Sequence, residues 1–355
     1  MGIDSQFWAG RKVFLTGHTG FKGGWLALWL ARLGASVTGY ALDPLSGPSL
    51  FSDARIGAHL EADIRADIRD RTALAKAMAA CEPDIVLHLA AQAVVSKGYA
   101  DPIGTYETNV IGTGNVLLSA FACPSVTTIV SVTSDKCYDN KEWVHPYRET
   151  DRLGGKDPYS SSKGCAEILT ASLRDSLRPS AKVASGRAGN VIGGGDWAAD
   201  RIVPDCVRAF SAGEPVELRR PQSVRPWQFV LEPLSGYLQL AQKIASSQDY
   251  ALEGGWNFGP VPGGEATVLE VASSMARLWG DGADLRVDTA GQMFEEASLL
   301  RLDSTKARVA LGWKPVLDTE QCLSWTGAWY DAWRKGEDLQ AVTLAQIDAY
   351  MERLQ

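Results

Sequence analysis

The sequence predicts an α/β protein: a Rossmann-like, doubly wound parallel sheet with a smaller, partly interleaved C-terminal lobe. Two observations carry this. Over residues 11–187, short β-branched apolar runs alternate with helical patterns, as in a parallel sheet covered by helices on both faces. After Asn190 the texture changes to a glycine-rich stretch, GNVIGGGDW, followed by shorter helical patterns. A chain of 355 residues also exceeds the size at which one core keeps growing, which favours a large unit plus a lobe.

In chain order, KVFLTG (12–17) reads as a buried strand and 25–32 as an amphipathic helix. ASVTGYALD (35–43) reads as a second strand, and further strands are expected at 84–91, 127–134 and 182–188. Right-handed crossovers between such strands give the doubly wound sheet. Beyond Asn190, helices are expected near 268–278, 304–311 and 319–333, and residues 230–246 read as returning to the sheet. The expected division is 1–189 with 224–254 packing on it, against a lobe of 190–223 and 255–355.

Composition narrows the function classes. The net charge is −7 with no long basic run, which argues against nucleic acid as partner but leaves room for a local phosphate pocket. The six cysteines (Cys81, Cys123, Cys137, Cys165, Cys206 and Cys322) are scattered, without a CxxC pair or metal-ligand spacing. That reads as a reduced, cytoplasmic protein with no metal site. The N-terminus lacks the features of a signal peptide, and no stretch approaches the ~20 apolar residues of a membrane span. Twelve tryptophans read as packing residues.

VFLTGHTGFKGGWLALWL places Gly17, Gly20 and Gly23 between the first strand and first helix. Gly17 suits the tight turn, Gly20 the approach of a pyrophosphate, and Gly23 close helix packing, with the helix N-terminus facing the phosphates. A phosphate loop of the GxxxxGK[ST] kind is excluded, because Lys22 and Gly23 stand in the reverse order. Asp43, ending the second strand, suits a ribose diol and repels a 2′-phosphate, and Pro44, Leu45 and Ser46 offer no cation, so NAD is favoured over NADP. A turn-forming Asp before proline is the plainer alternative. Asp67 and Ile68, after a third strand, are candidates for the adenine edge.

DPYSSSKGCAE sets Tyr159 and Lys163 four apart, on one helix face. An unperturbed phenol has a pKa of about 10. A neighbouring ammonium and a nicotinamide cation would favour phenolate, letting Tyr159 take a hydroxyl proton as hydride leaves the same carbon. The spacing is common by chance and gains weight from the glycine turn upstream. SVTSDKCYDN brings Thr133, Ser134, Asp135 and Lys136 to a strand's carboxyl end, where ligands sit in such sheets. An alcohol dehydrogenase needs only a hydroxyl there. A carboxyl beside an amine suggests a second proton-transfer task, an acid for a leaving hydroxyl and a base for a proton alpha to a carbonyl. The ordinary alternative is a surface ion pair.

These motifs, with GYALDP, LHLAAQ, TNVIGT, RAGNVIGGGDW, RPWQFVLEPLSGY, WNFGP and LGWKP, resemble the NAD-dependent epimerases and dehydratases of the extended short-chain dehydrogenase/reductase class. The match runs nearly end to end, and TSDK is most similar to the 4,6-dehydratases acting on CDP-glucose. The resemblance implies a lyase for a nucleotide-diphosphate hexose, most closely CDP-glucose. Tyr159 takes the 4-hydroxyl proton as C4 is oxidised, Lys136 removes the C5 proton, Asp135 protonates the leaving 6-hydroxyl, and hydride returns to C6. To act as base, Lys136 must have a lowered pKa, and Asp135 must be protonated. The resemblance further implies that Thr133 binds the 4-oxygen, that Lys163 holds the nicotinamide ribose, and that Phe21, Ala90 and Asn109 touch the cofactor. Asn190, Arg201 and Arg225 fall in the substrate-diphosphate region, and a homodimer is implied. Two departures, Phe229 after RPWQ and Ser96-Lys97 where an arginine is usual, are expected to border the sugar or its diphosphate. The competing readings are a nucleotide-sugar epimerase or dehydrogenase, which the Asp135-Lys136 pair argues against, and a silent NAD-binding regulator, which would be expected to lack Tyr159, Lys163 or Thr133.

Overall fold

The computed structural model describes residues 2–247, 250–260, 263–287 and 299–354. Seven strands form one parallel sheet: β1 (Lys12–Thr16), β2 (Ser36–Ala41), β3 (Ala62–Arg65), β4 (Ile85–His88), β5 (Thr128–Val132), β6 (Lys182–Ala188) and β7 (Gly254–Phe258). Their spatial order is β7-β6-β5-β4-β1-β2-β3, with every neighbouring pair parallel. The order reverses between β1 and β4, which opens a crevice at their carboxyl ends.

The near-continuous apolar runs follow from burial on both faces. Phe14, Tyr40, Val86, Ile129 and Val183 point to one side, against Leu74 and Met78 of α2 (Arg71–Cys81) and Val116 and Leu117 of α3 (Thr113–Phe121). Val13, Leu15, Val37, Leu87, Val130 and Ala184 point to the other, against α1 (Phe21–Arg32) and α6 (Leu231–Ser246). Between α3 and α6 in the chain come α4 (Pro158–Leu177), on the first face, and α5 (Ile202–Ala212) in the lobe. In the lobe α5 packs on α7 (Val268–Trp279), which meets α8 (Thr319–Lys335). Six of the tryptophans, Trp8, Trp25, Trp29, Trp256, Trp313 and Trp329, are fully buried packing residues.

Several boundaries differ from those expected. Helix α1 begins at Phe21 rather than at residue 25, because the Gly24 N–H already bonds Gly20 O at 2.8 Å; low glycine propensity hides this first turn. Gly254–Phe258 pairs with β6, so the sheet runs past the division expected at residue 254. A helix without a sequence expectation, α9 (Leu339–Arg353), lies on α1 through Trp29–Tyr350 ring contact at 5.6 Å and an Arg32–Asp348 ion pair. It also packs along α8, where the Trp329 indole N–H donates to the Thr343 hydroxyl at 2.9 Å, so this part of the chain bridges the sheet unit and the lobe.

Candidate active site

The crevice is a cleft of about 870 Å³ between the strand ends and the lobe. Gly17 has φ of +79°, and a Cβ there would stand 2.7 Å from Ala90 N. A Cβ on Gly23 would come within 2.0 Å of Gly17 O. A Cβ on Gly20 would meet nothing nearer than Gly17 O at 3.4 Å, so this face stays open to the cleft. Turn and helix N-terminus thus form a cradle fitted to a dinucleotide pyrophosphate. The turn is braced from below. The Thr16 hydroxyl lies 2.7 Å from His88 Nδ1 and accepts from the N–H groups of Leu89 and Ala90. Burial lowers the His88 pKa to about 3, so the ring is neutral. His18 fills the space beside Gly39 and bonds Asp63 at 2.8 Å.

Phe21, Asp67, Ile68 and Ala90 line the cleft, as expected of cofactor contacts, though the Asp67 carboxylate is already engaged by Arg69 at 2.7 Å. One assignment needs correction. Asn109 is buried with both amide protons committed, to Gln92 O and Ser162 Oγ at 2.9 Å, and its oxygen accepts from Gln92 N–H. It anchors the loop after β4 and does not line the cleft. Asp43 has an 86% exposed side chain, 3.7 Å from Arg65. Residues 44–46 supply no cation, and the one beside Asp43, Arg65, comes from the end of β3. It is held by Asp63 at 2.7 Å and by the Phe51 ring at 4.5 Å.

The catalytic candidates converge on the floor. Asp157 caps α4, accepting from Ser160 N–H, and Pro158 occupies the first turn. The helix thereby presents Tyr159, Lys163 and Glu167 on successive turns of one face, all buried. Burial pushes Tyr159 up to about 12, partly offset by a hydrogen bond with Ser134 and the charge of Arg201, and raised further by Asp135. Burial lowers Lys163 to about 8, against the opposing pull of Glu167 and Cys137. Asp135 is buried, and desolvation raises its pKa despite Lys136, Ser134 and Lys22, which act the other way. Its carboxyl accepts from the Ser134 hydroxyl at 2.9 Å. Lys136 is half-buried and lines the same cleft. Thr133 also lines it, but its hydroxyl donates downward to Glu167. Glu167 also accepts from Ser185 and Arg187, each at 2.7 Å. Burial opposes ionisation of Glu167, yet the Arg187 charge and these bonds outweigh it and hold the carboxyl below its usual range.

On the lobe side, Asn190, Arg201 and Arg225 all reach the cleft. Arg201 leads into α5 and bonds Asp196 at 2.7 Å. Ser96 donates to Asp200, which pairs with Arg219 at 3.4 Å, so this departure joins the cofactor side to the lobe. Lys97 is exposed at the cleft. Phe229 is fully buried between Trp25 and Trp325, at 5.8 and 5.5 Å. It is a core residue and does not border the sugar, contrary to expectation.

The sequence pointed to Ser134 without giving it a role, and it did not point to Glu167 or to Lys22 as site residues. The i+8 spacing from Tyr159 was signal enough for Glu167, and Ser134 stood inside TSDK. Lys22 was hidden because that position served only to exclude a phosphate loop. Among the described residues, no cluster of His, Cys, Asp or Glu is arranged to hold a metal.

Fold and site together define an enzyme of the extended short-chain dehydrogenase/reductase class, with an acid and an amine added beside the Tyr–Lys pair. Comparison with known proteins agrees. The chain belongs to the GDP-mannose 4,6 dehydratase family, whose model matches residues 14–326. It is 46% identical to the CDP-glucose 4,6-dehydratase of Salmonella typhimurium over 98% of both chains. Among solved structures, an epimerase of Methanothermobacter thermautotrophicus superposes with a TM-score of 0.80 at 22% identity, covering 94% of this chain and 96% of that one. The dTDP-glucose 4,6-dehydratase of Bacillus anthracis, solved with NAD, superposes with a TM-score of 0.76 at 19% identity, covering 93% and 100%. At such identities these two structures bear on the fold alone.

Proposed function

We propose that the protein is an NAD-dependent 4,6-dehydratase that converts CDP-D-glucose to CDP-4-keto-6-deoxy-D-glucose and water. The observation that carries the reaction type is one cleft holding Tyr159 and Lys163 together with a buried, pKa-raised Asp135 and the adjacent Lys136. The choice of CDP-glucose rests on the Salmonella relative.

When bound, NAD would supply the hydride chemistry, as acceptor for oxidation at sugar C4 and donor for reduction at C6, together with a positively charged nicotinamide ring. Tyr159, a neutral phenol as the protein alone holds it, is brought by that charge toward the phenolate that takes the 4-hydroxyl proton. Lys163 sits one helical turn away to hold the nicotinamide ribose. The 4-ketone acidifies the C5 proton, which Lys136 removes, while Asp135 gives its proton to the departing 6-hydroxyl. An acid must hold its proton until it acts, which suits a carboxyl desolvated as Asp135 is. Arg201, Arg225 and Asn190 would hold the diphosphate end. The test is incubation with CDP-, dTDP-, UDP- and GDP-hexoses and mass spectrometry for loss of one water. Turnover of CDP-glucose no better than of dTDP-glucose would sink the nucleotide choice, and products retaining their C6 hydroxyl would sink the reaction.

A homodimer and a cytoplasmic location complete the reading. Exposed Ile103 and Ile111, on the helical run before and into α3, and Ile168 on α4 support self-association, since these helices pack side by side. No described helix is long and apolar enough to cross a membrane.

A further inference from the structure

Lys22 stands at the second position of α1, immediately beyond the glycine cradle, and its side chain lines the cleft. It makes no hydrogen bond or ion pair with a described residue, although it is only partly exposed. The charged groups around its ammonium are Arg201 and Lys163, which repel it, and Asp135 and Asp196, which attract it. Neither anion is available as a counter-ion. Asp196 is bonded by Arg201 at 2.7 Å, and Asp135 is desolvated toward its neutral form. A half-buried ammonium among like charges is unfavourable unless something else neutralises it. What enters this cleft between the helix N-terminus and Arg201 is, on the reading above, diphosphate: that of the cofactor, and that of the nucleotide sugar.

Resting on that reading, we propose that Lys22 is a diphosphate-binding residue, the cation by which the cofactor turn itself grips a bound nucleotide, facing Arg201 across the cleft. The ammonium has three donors, none committed to a described residue, and Arg201 lines the same cleft from the lobe. The cation also adds to the field of the α1 N-terminus. Burial depresses Lys22 to about 7 in the unliganded protein, so a neighbouring diphosphate must raise its pKa again. Nucleotide binding therefore takes up a proton at this residue near neutral pH, and binding weakens as pH rises beyond 7.

The experiment uses the holoenzyme with CDP as probe, titrated calorimetrically at pH 6.5 to 8.5 in buffers of different ionisation enthalpy, with cytidine as the phosphate-free control. Lys22→Gln should weaken CDP on the order of ten- to hundredfold, as loss of a charge-assisted bond to phosphate does, and leave cytidine unchanged. Lys22→Arg, charged at every pH used, should keep the affinity and lose part of the proton uptake; Lys163, at about 8, remains as a second source. If Lys22→Gln binds CDP normally but is purified with less NAD, the residue serves the cofactor's diphosphate instead of the sugar nucleotide's, and the diphosphate role stands. Unchanged CDP affinity together with full NAD content overturns the proposal. Wild-type turnover of nucleotide hexoses is measured alongside. If wild type dehydrates none of them, the functional reading fails; if it turns them over while Lys22→Gln is unaltered, only the Lys22 assignment fails.

Discussion

Replacing Glu167 by Gln should damage both stability and the first chemical step, and the geometry allows each to be scaled. The carboxylate accepts from Arg187 and Ser185 at 2.7 Å and from the Thr133 hydroxyl, at 4–6% exposure for Glu167, Arg187 and Thr133. The guanidinium has no room to escape: a Cβ on Gly255 would already lie 2.4 Å from Arg187 Nη2. Its remaining partners, Tyr138 Oη at 2.7 Å and Glu149 O, are neutral. Removing one member of a buried pair strands the other charge, a cost of about 3–5 kcal/mol. This is a large part of the ~5–15 kcal/mol that holds a domain folded. Urea unfolding of Glu167→Gln, with a Glu167→Met/Arg187→Met double variant for comparison, should show the single change costing more than the double. The effect on chemistry is separable. Thr133 has one hydroxyl proton, and Glu167 holds it, so Thr133 offers the cleft a lone pair. In Glu167→Gln that constraint is lost, and formation of reduced cofactor in a single turnover should slow at temperatures where the variant is fully folded. Adding Thr133→Val should then cost little more, because both changes remove the same alignment. Unfolding within about 0.5 kcal/mol of wild type, an ordinary-surface effect, would refute the energetic argument. Full additivity with Thr133→Val would refute the positioning argument.

Other perturbations test other links. Lys136→Met should retain C4 oxidation, accumulate reduced cofactor in a single turnover and fail to exchange the C5 proton with deuterated solvent; near-normal dehydration would remove the lysine as base. Gly23→Ala, whose Cβ would fall 2.0 Å from Gly17 O, should be purified without NAD, as absorbance of the denatured supernatant would show. Glu232 accepts from Val316 and Leu317 N–H and from Tyr350 Oη, and burial raises its carboxyl to about 7. Since the folded pKa lies above the unfolded value, its contribution is complete below about pH 4.5 and is lost as pH rises through 7, a change of order 3 kcal/mol. Glu232→Gln should flatten that part of the stability–pH curve, and an unchanged curve would show that the carboxyl is not the source.

Where the sequence spoke through local rules, the structure followed it. Strands β1, β5 and β6 were readable as apolar runs because both faces are buried, and the glycine turn was readable because Gly17 and Gly23 occupy positions that a Cβ would clash at. What was hidden depends on contacts between distant segments. Asn109 carries a motif that looks like a cofactor contact, yet its amide is spent on Gln92 and Ser162, 17 and 53 residues away. Phe229 lies in a motif beside the substrate region, but strand pairing with residues 191–192 turns its ring into the Trp25–Trp325 core. Arg65 reaches Asp43 only because β3 lies beside β2.

Charge shows the same division more sharply. Composition gave a net −7, while the cleft gathers Lys22, Lys136, Lys163, Arg201 and Arg225, which is what a site for two diphosphates requires. Of these, Lys22 and Arg201 arrive from opposite walls, one from the cofactor turn and one from the lobe. A charge shared across a cleft in this way is invisible to any window along the chain. It also bears on Asp135, whose carboxyl burial raises above its ordinary value. The cations that lower the carboxyl's pKa are Lys136 and Lys22, and a diphosphate bound at Lys22 would set its own negative charge against theirs. On the proposed mechanism, substrate binding would thereby favour the protonated acid that the elimination step consumes.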